Sequence, residues 1–333
     1  ESIHGYYGQK SRGEHGNVTI PAINGRIFTH LMVASALEAA TKIGAQDFPY
    51  LIFELAKSES GYTRQDPEQF VALVKLGYLM AGKRNVPMFI QGDHFQVDKD
   101  AFKKEKDAWL TENPYSDDLT IIANLNCVQD IVKLCRKALQ AGYRNIDIDS
   151  SVLEEPQGTP EKKQRWNAGV GAYLTWQIRQ IEKELSITEP VSIGGEVGEV
   201  GGSNIPSDEA YVAEVRVYLT MLQARLVQYD PSAIGISKVS LNTGSAHGGV
   251  MGADGTLQRN VPIGFGIHAG VAKIENPWFP GSKGFVTVQH GASTLAAELF
   301  FAFAGANVGE VHLATEFQNI IWAVIKVQDP ALY

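Results

Sequence analysis

Cysteine is nearly absent: the 333-residue chain has two, Cys127 and Cys135. They fall in a stretch that reads as one helix and point to different faces of it, so they are not expected to pair. A reducing, cytoplasmic setting is the simple expectation. Long apolar runs are missing too. None approaches the roughly 18–20 residues needed to cross a bilayer, which argues against a helical membrane span. Glu1 to Lys10 is polar, unlike the apolar region of a signal peptide. Positive charge is in deficit, with 29 Lys and Arg against 37 Asp and Glu and a net charge of −8. That balance argues against a nucleic-acid groove and a polybasic membrane anchor, but says nothing against one basic pocket for phosphate. No fixed-period repeat, low-complexity tract or Pro/Gly-rich linker interrupts the chain, so one domain over 1–333 is expected. With 44% hydrophobic and 20% charged residues, the chain can bury one large core and is not disordered.

What is present is alternation. Short β-rich runs occur at Val18–Ile23, Tyr50–Leu55, Val86–Gln91, Asn145–Asp149, Val191–Glu196, Lys238–Asn242, Gly284–Gln289 and Gly309–Leu313. Helical patterns stand at Leu31–Ile43, Pro67–Ala81, Val128–Ala141, Trp166–Leu185, Asp208–Val227, Ser293–Phe303 and Phe317–Val327. Strands alternating with helices along the whole chain predict an α/β fold, a (β/α)₈ TIM barrel, with a doubly wound open sheet as the other arrangement. Two stretches exceed an ordinary loop: Val97–Asn126, rich in Lys, Asp and Glu, and Gly249–Ala272, rich in Gly. Loops of that length tend to be lids or insertions.

Chemistry collects after the strands. Gln91 runs into Gly92-Asp93-His94, Ile146 and Ile148 alternate with Asp147 and Asp149, and Val191–Ile193 leads to Gly194-Gly195-Glu196. Leu241 leads to a turn ending Ala246-His247-Gly248, and Gln289 to His290-Gly291-Ala292-Ser293. A lone histidine at a strand end is more often a hydrogen-bonded or exposed residue than a ligand. Asp147 and Asp149 are equally readable as interior polar residues with structural partners. Three histidines at the ends of strands that converge on one barrel mouth are another matter. They can bind a divalent ion and leave a position open, and the glycines after them let backbone N–H groups approach an anion.

Taken in order, these motifs resemble the class II fructose-bisphosphate aldolases. The resemblance rests on Asp93-His94, the stretch Ile146 to Ser151, Gly195-Glu196-Val197-Gly198 closing on Gly201-Gly202, Ala246-His247-Gly248, His290 to Ser293, and Thr315. Ile20 to Asn24 and the helix Ala34–Ala40 resemble that family's start, and Gly61-Tyr62-Thr63 with Pro67 is similar to the tagatose-bisphosphate group. The resemblance spans roughly residues 17 to 325. It implies a divalent metal, zinc by family habit, on His94, His247 and His290, with Glu196 and Asp149 as carboxylates at its edge. Asp93 would be the acid/base at the bond being cleaved. Asn24, Ser58, Gly248, Gly291, Ser293 and Thr315 would contact the substrate or its phosphates. The implied substrate is a small sugar phosphate, foremost fructose 1,6-bisphosphate, and the implied assembly a homo-oligomer, dimer or tetramer.

The chain departs from that family's pattern in several places. Gln91 stands where the family has histidine two residues before the Asp-His pair. Ser203-Asn204 follow the paired glycines in place of acidic residues, leaving Glu199, Asp208 or Glu209 as substitutes. The Asn-x-Asp-Thr run appears as His312-Leu313-Ala314-Thr315. No arginine follows Arg259, so a second phosphate would need Lys99, Lys103 or Arg165 from insertions near 97–126 and 154–166, or a neighbouring subunit. The phosphate beside the ketone is therefore expected to matter more than the far one. Another keto-sugar as substrate, a non-catalytic barrel subunit, and a metal-dependent isomerase or hydrolase are the other readings.

Overall fold

The computed structural model describes residues 1–14, 18–43, 50–83, 86–198 and 207–331. It opens with α1 (His4–Ser11), β1 (Ile20–Asn24), α2 (Thr29–Lys42), β2 (Ile52–Ala56), α3 (Lys57–Thr63) and α4 (Pro67–Met80). β3 (Phe89–Gln96), α5 (Lys99–Glu112), α6 (Asp118–Asn124), α7 (Asn126–Ala141) and β4 (Asn145–Asp149) come next. Then follow α8 (Pro160–Glu184), β5 (Ser192–Val197), α9 (Asp208–Tyr229) and β6 (Lys238–Leu241). A hairpin of β7 (Val250–Met251) and β8 (Leu257–Gln258) precedes α10 (Phe265–Val271) and β9 (Val286–Gln289). The last elements are α11 (Ala297–Gly305), β10 (Val308–Leu313) and α12 (Thr315–Gln328).

Eight parallel strands close in the order β1-β10-β9-β6-β5-β4-β3-β2, and the hairpin stands apart. This is the (β/α)₈ barrel, not the open sheet. Period-two alternation explains the layering. Ile146, Ile148, Ile193, Val239 and Leu241 face outward into one core with Val128, Ile131, Ile178 and Leu222 from the helices.

The insertions differ from the expected long loops. Residues 99–124 form α5 and α6, each started by an aspartate whose side chain accepts from a backbone N–H: Asp98 from Ala101 and Asp117 from Thr120. Of α5 only Phe102 is buried, which is why its charged sequence hid it. α8 begins at Pro160 rather than Trp166, because Thr159 caps it and proline suits the first turn. Most of 249–272 is the β7–β8 hairpin and α10. Cys127 and Cys135 are buried free thiols. No helix among the described residues is long and apolar enough to cross a membrane.

Inside the barrel lies an ionic layer. Lys238 Nζ donates to Gln91 Oε1 (2.9 Å), Asp147 Oδ2 (3.0 Å) and both Glu310 oxygens (2.7 Å each). Gln91 Nε2 donates to Glu54 Oε2 (3.0 Å) and Glu310 Oε1 (2.7 Å). From below, the Tyr7 hydroxyl of α1 donates to Glu310 Oε2. α1 thus plugs the lower end of the barrel, where Ile3, Tyr6 and Tyr7 pack on Ile20, Ile52, Phe89 and Val286. Buried charges persist only when paired and hydrogen-bonded, and here each of these is.

Candidate active site

At the upper end of β3 the pairing with β4 slips: Gly92 pairs with Ile146, but Phe95 with Ile148. The extra residue is accommodated by His94, whose φ is +43°. A non-glycine residue in that region stores on the order of 1–3 kcal/mol, which the surrounding barrel must offset. The gain is directional. In a regular strand neighbours face opposite sides, yet Asp93 and His94 both line the same cavity. His94 Nδ1 lies 2.7 Å from Asp93 Oδ1 and its Nε2 3.7 Å from Glu196 Oε1.

His247, from the loop after β6, and His290, one residue past β9, complete the cluster. Their ring centroids lie 5.6 and 4.7 Å from that of His94, and one nitrogen of each of the three falls within 4.8 Å of the others. Burial and the charge of neighbouring histidines lower the pKa of His247 and, much further, of His290. Both therefore present neutral lone pairs at pH 7, as metal ligands must. Burial opposes a proton on His94, but Asp93 and Glu196 outweigh it and raise its pKa well above the usual range. Burial likewise raises Glu196, which is 1% exposed and whose Oε1 has no hydrogen-bond partner. An orphaned buried carboxylate oxygen 3.7 Å from His94 Nε2 fits a cation. Asp149 groups with His94 and Glu196, but Ser151 N and Oγ bond its Oδ1 (3.1 and 2.7 Å) and Gln96 Nε2 its Oδ2. It sits at the edge with both oxygens engaged.

Asp93, His94, His247 and His290 face a cavity of about 560 Å³ that also includes Asn24, Ser58, Gly248, Gly291, Ser293 and Thr315, while Glu196 and Asp149 are not among its lining residues. Every residue expected to touch substrate is thus brought to one place. Gly248 and Gly291 have φ of +83° and +64°, and a Cβ at Gly291 would stand 2.9 Å from the Ala246 carbonyl oxygen. Both turns therefore require glycine. Asn24 lines the wall, but its amide is engaged: Nδ2 donates to Glu59 Oε2 (2.5 Å) and Oδ1 accepts from Arg26 N (3.1 Å).

Sequence reasoning missed the basic end of the cavity. Lys99, Lys103 and Arg165 are not among its lining residues, and Arg165 instead bonds Asp118 at 2.6 Å. Arg26 and Lys57 line it. Arg26 Nη1 donates to Glu59 Oε1 (2.7 Å), while its Nε is buried with no hydrogen-bond partner. Lys57 Nζ donates to the Gln96 carbonyl at 2.7 Å. The only earlier signal was their place just past the first two strands. Glu54 and His312 also reach the cavity from inside the barrel. Of the proposed loop acids, Glu199 lies outside the described residues, and Asp208 and Glu209 are exposed at the start of α9.

Fold and site together define a (β/α)₈ barrel whose C-terminal mouth carries a cluster of three imidazoles with Asp93 beside it, a set of groups that could hold a cation. No family model matches the chain, and no curated protein matches its sequence. Solved structures do resemble it. The YdjI aldolase of Escherichia coli K12 is 14% identical with a TM-score of 0.53, covering 98% of this chain and 87% of that one. A putative fructose-1,6-biphosphate aldolase from Coccidioides immitis is 15% identical with a TM-score of 0.57, covering 98% and 86%. A probable tagatose 6 phosphate kinase from Sinorhizobium meliloti 1021 is 14% identical with a TM-score of 0.61, covering 94% and 71%. At such identities the likeness is one of fold.

Proposed function

We propose that the chain is a metal-dependent, class II aldolase: a lyase that cleaves or forms a carbon–carbon bond in a ketose phosphate. Fructose 1,6-bisphosphate, split to dihydroxyacetone phosphate and glyceraldehyde 3-phosphate, is the leading substrate. The observation that carries this reading is the convergence of His94, His247 and His290 about one point with Asp93 beside them. Those histidines would hold the divalent ion, zinc in the first instance, with Glu196 and then Asp149 at its edge. When bound, the ion supplies Lewis-acid polarisation of the substrate carbonyl. Asp93, fixed through Oδ1, offers Oδ2 to take the hydroxyl proton at the bond being broken and to return it in the reverse direction. Gly248, Gly291, Ser293 and Thr315 hold one phosphate through backbone N–H and hydroxyl donors, and Arg26 with Lys57 meets the other.

Lys238, the lysine inside the barrel, is not a Schiff-base amine in this scheme, because its protons are committed to Gln91, Asp147 and Glu310. A tagatose-type bisphosphate or a ketose monophosphate would use the same groups. The intact cation site favours an enzyme over a non-catalytic barrel subunit. Self-association belongs to the same reading. No residue of α12 is fully buried, and Ile320, Val324 and Val327 are 55%, 55% and 74% exposed, an apolar face that a second copy would cover.

The test is metal analysis of the purified protein together with a cleavage assay over fructose 1,6-bisphosphate, tagatose 1,6-bisphosphate and fructose 1-phosphate. Protein loaded with zinc or cobalt that cleaves none of them overturns the reading.

A further inference from the structure

His312 occupies a place that the scheme above does not use. It stands on β10 facing the barrel axis, 5% exposed, between the ionic layer and the cation site. Its Nε2 is 2.7 Å from Glu310 Oε1, and its Nδ1 is 3.0 Å from Glu54 Oε2 and 3.4 Å from Asp93 Oδ1. Its ring stacks on that of His290, centroids 3.9 Å apart and planes 23° apart. The ring is thus clamped on both edges by carboxylates and on one face by a candidate ligand.

Resting on the aldolase reading, we propose that His312 is the positioning residue for Asp93. The contacts of Asp93 among the described residues all fall on Oδ1, from His94 Nδ1 on one side and His312 Nδ1 on the other. His94 hydrogen-bonds that oxygen and His312 faces it at ion-pair distance, its own ring nitrogens making no hydrogen bond, so Oδ2 is left as the atom that can face substrate. His94 alone could not do this, since it is the neighbouring residue on a strained bulge and moves with Asp93. His312 supplies the reference from β10, and β10 is fixed in turn through Glu310, Lys238 and Gln91. The stack on His290 ties the orientation of the acid to that of a ligand ring. A group needed within a fraction of an ångström of a reacting atom requires such outside support.

The experiment uses His312→Gln, which keeps a donor, and His312→Leu, which keeps bulk only, each in the native and the Asp93→Asn backgrounds. In the native background kcat should fall about 10–100-fold with KM within about threefold and metal content unchanged, the glutamine variant retaining more activity than the leucine variant. In the Asp93→Asn background the same changes should cost less than about threefold, because a residue acting through Asp93 has nothing left to position. Equal losses in both backgrounds overturn the proposal. A crystal structure of His312→Gln provides an arm free of carbon chemistry: the Asp93 carboxylate should rotate away from its present setting, and an unmoved carboxylate overturns the proposal. Wild-type protein inactive on every ketose phosphate would sink the aldolase reading alone, and the crystallographic comparison would still decide the role of His312.

Discussion

Replacing Lys238 by methionine tests whether the ionic layer is held together as described. Methionine fills similar space but removes the ammonium that bonds Asp147 and Glu310 at 2.7–3.0 Å, leaving His312 as the cation beside them. Breaking a buried ion pair by deleting one partner destabilises by about 3–5 kcal/mol, and two carboxylates lose their closest cation here while His312 remains beside them. At a urea slope of roughly 3 kcal/mol/M the midpoint should drop by about 1–1.7 M. The pH dependence has a defined sign. Burial pushes Asp147 up to about 6 and Glu54 up to about 7. Stability linked to these raised groups is present in acid and is lost as pH rises through those values. Glu310 behaves in the opposite way. Burial opposes its ionisation, but Lys238 and His312 outweigh that and hold it well below the usual carboxylate range. Without Lys238 only His312 holds it down, so its pKa rises from that low position. The deficit of the variant should therefore be full at pH 8 and shrink toward pH 5, read as urea midpoints by circular dichroism. A midpoint lowered by less than about 0.3 M at pH 8, or a deficit that grows on acidification, refutes the reasoning.

Three further changes address the site. His247→Ala should take bound metal from about one ion per chain to near none and abolish turnover; full occupancy in that variant removes His247 from the ligand set. Asp93→Asn should keep its metal and lose about 10²–10⁴ in kcat, and near-normal turnover would mean that another group carries the proton. Arg26→Met should lower kcat/KM for a ketose 1,6-bisphosphate by about 10–100-fold, the worth of one charge-assisted hydrogen bond, while leaving the 1-phosphate within about threefold. A parallel loss on both substrates would place Arg26 in scaffolding with Glu59 instead.

The barrel was legible because each strand is a short apolar run that ends in polar chemistry, and a closed parallel sheet needs little else. All eight expected runs became barrel strands with boundaries moved by a few residues. Helices α5 and α6 were not legible as helices, since α5 is highly charged and buries only Phe102 and α6 is only seven residues long, and the caps Asp98 and Asp117 announce them. Within the site, local motifs marked His94, His247, His290 and Asp93, each announced by its immediate neighbours. Arg26, Lys57 and His312 carry no such mark. Their importance comes from strands that are distant in sequence and adjacent only around the closed barrel, as when Glu54 of β2 meets His312 of β10. Gln91 reads in sequence as a lost histidine, but in the structure it is a bridge between Glu54, Glu310 and Lys238.

The plug formed by α1 bears on how the chain is made. Tyr7 bonds Glu310, 303 residues later, and β1 pairs with β10 as well as with β2. At a synthesis rate of 5–20 residues per second, α1 and β1 wait roughly 15–60 s for those partners to be translated. Until then Tyr7 lacks Glu310, and so does Lys238 once it is made. Early strands can pair in sequence, but the seam cannot close and the charged interior stays hydrated. Closure is therefore a late event that dries the ionic layer and completes the mouth together, so a nascent barrel short of β10 has neither Glu310 nor His312. Long sequence separation of this kind slows folding and prolongs exposure of open strand edges. Stalling translation just before residue 308 should accordingly leave a chain far more sensitive to protease than one released after α12.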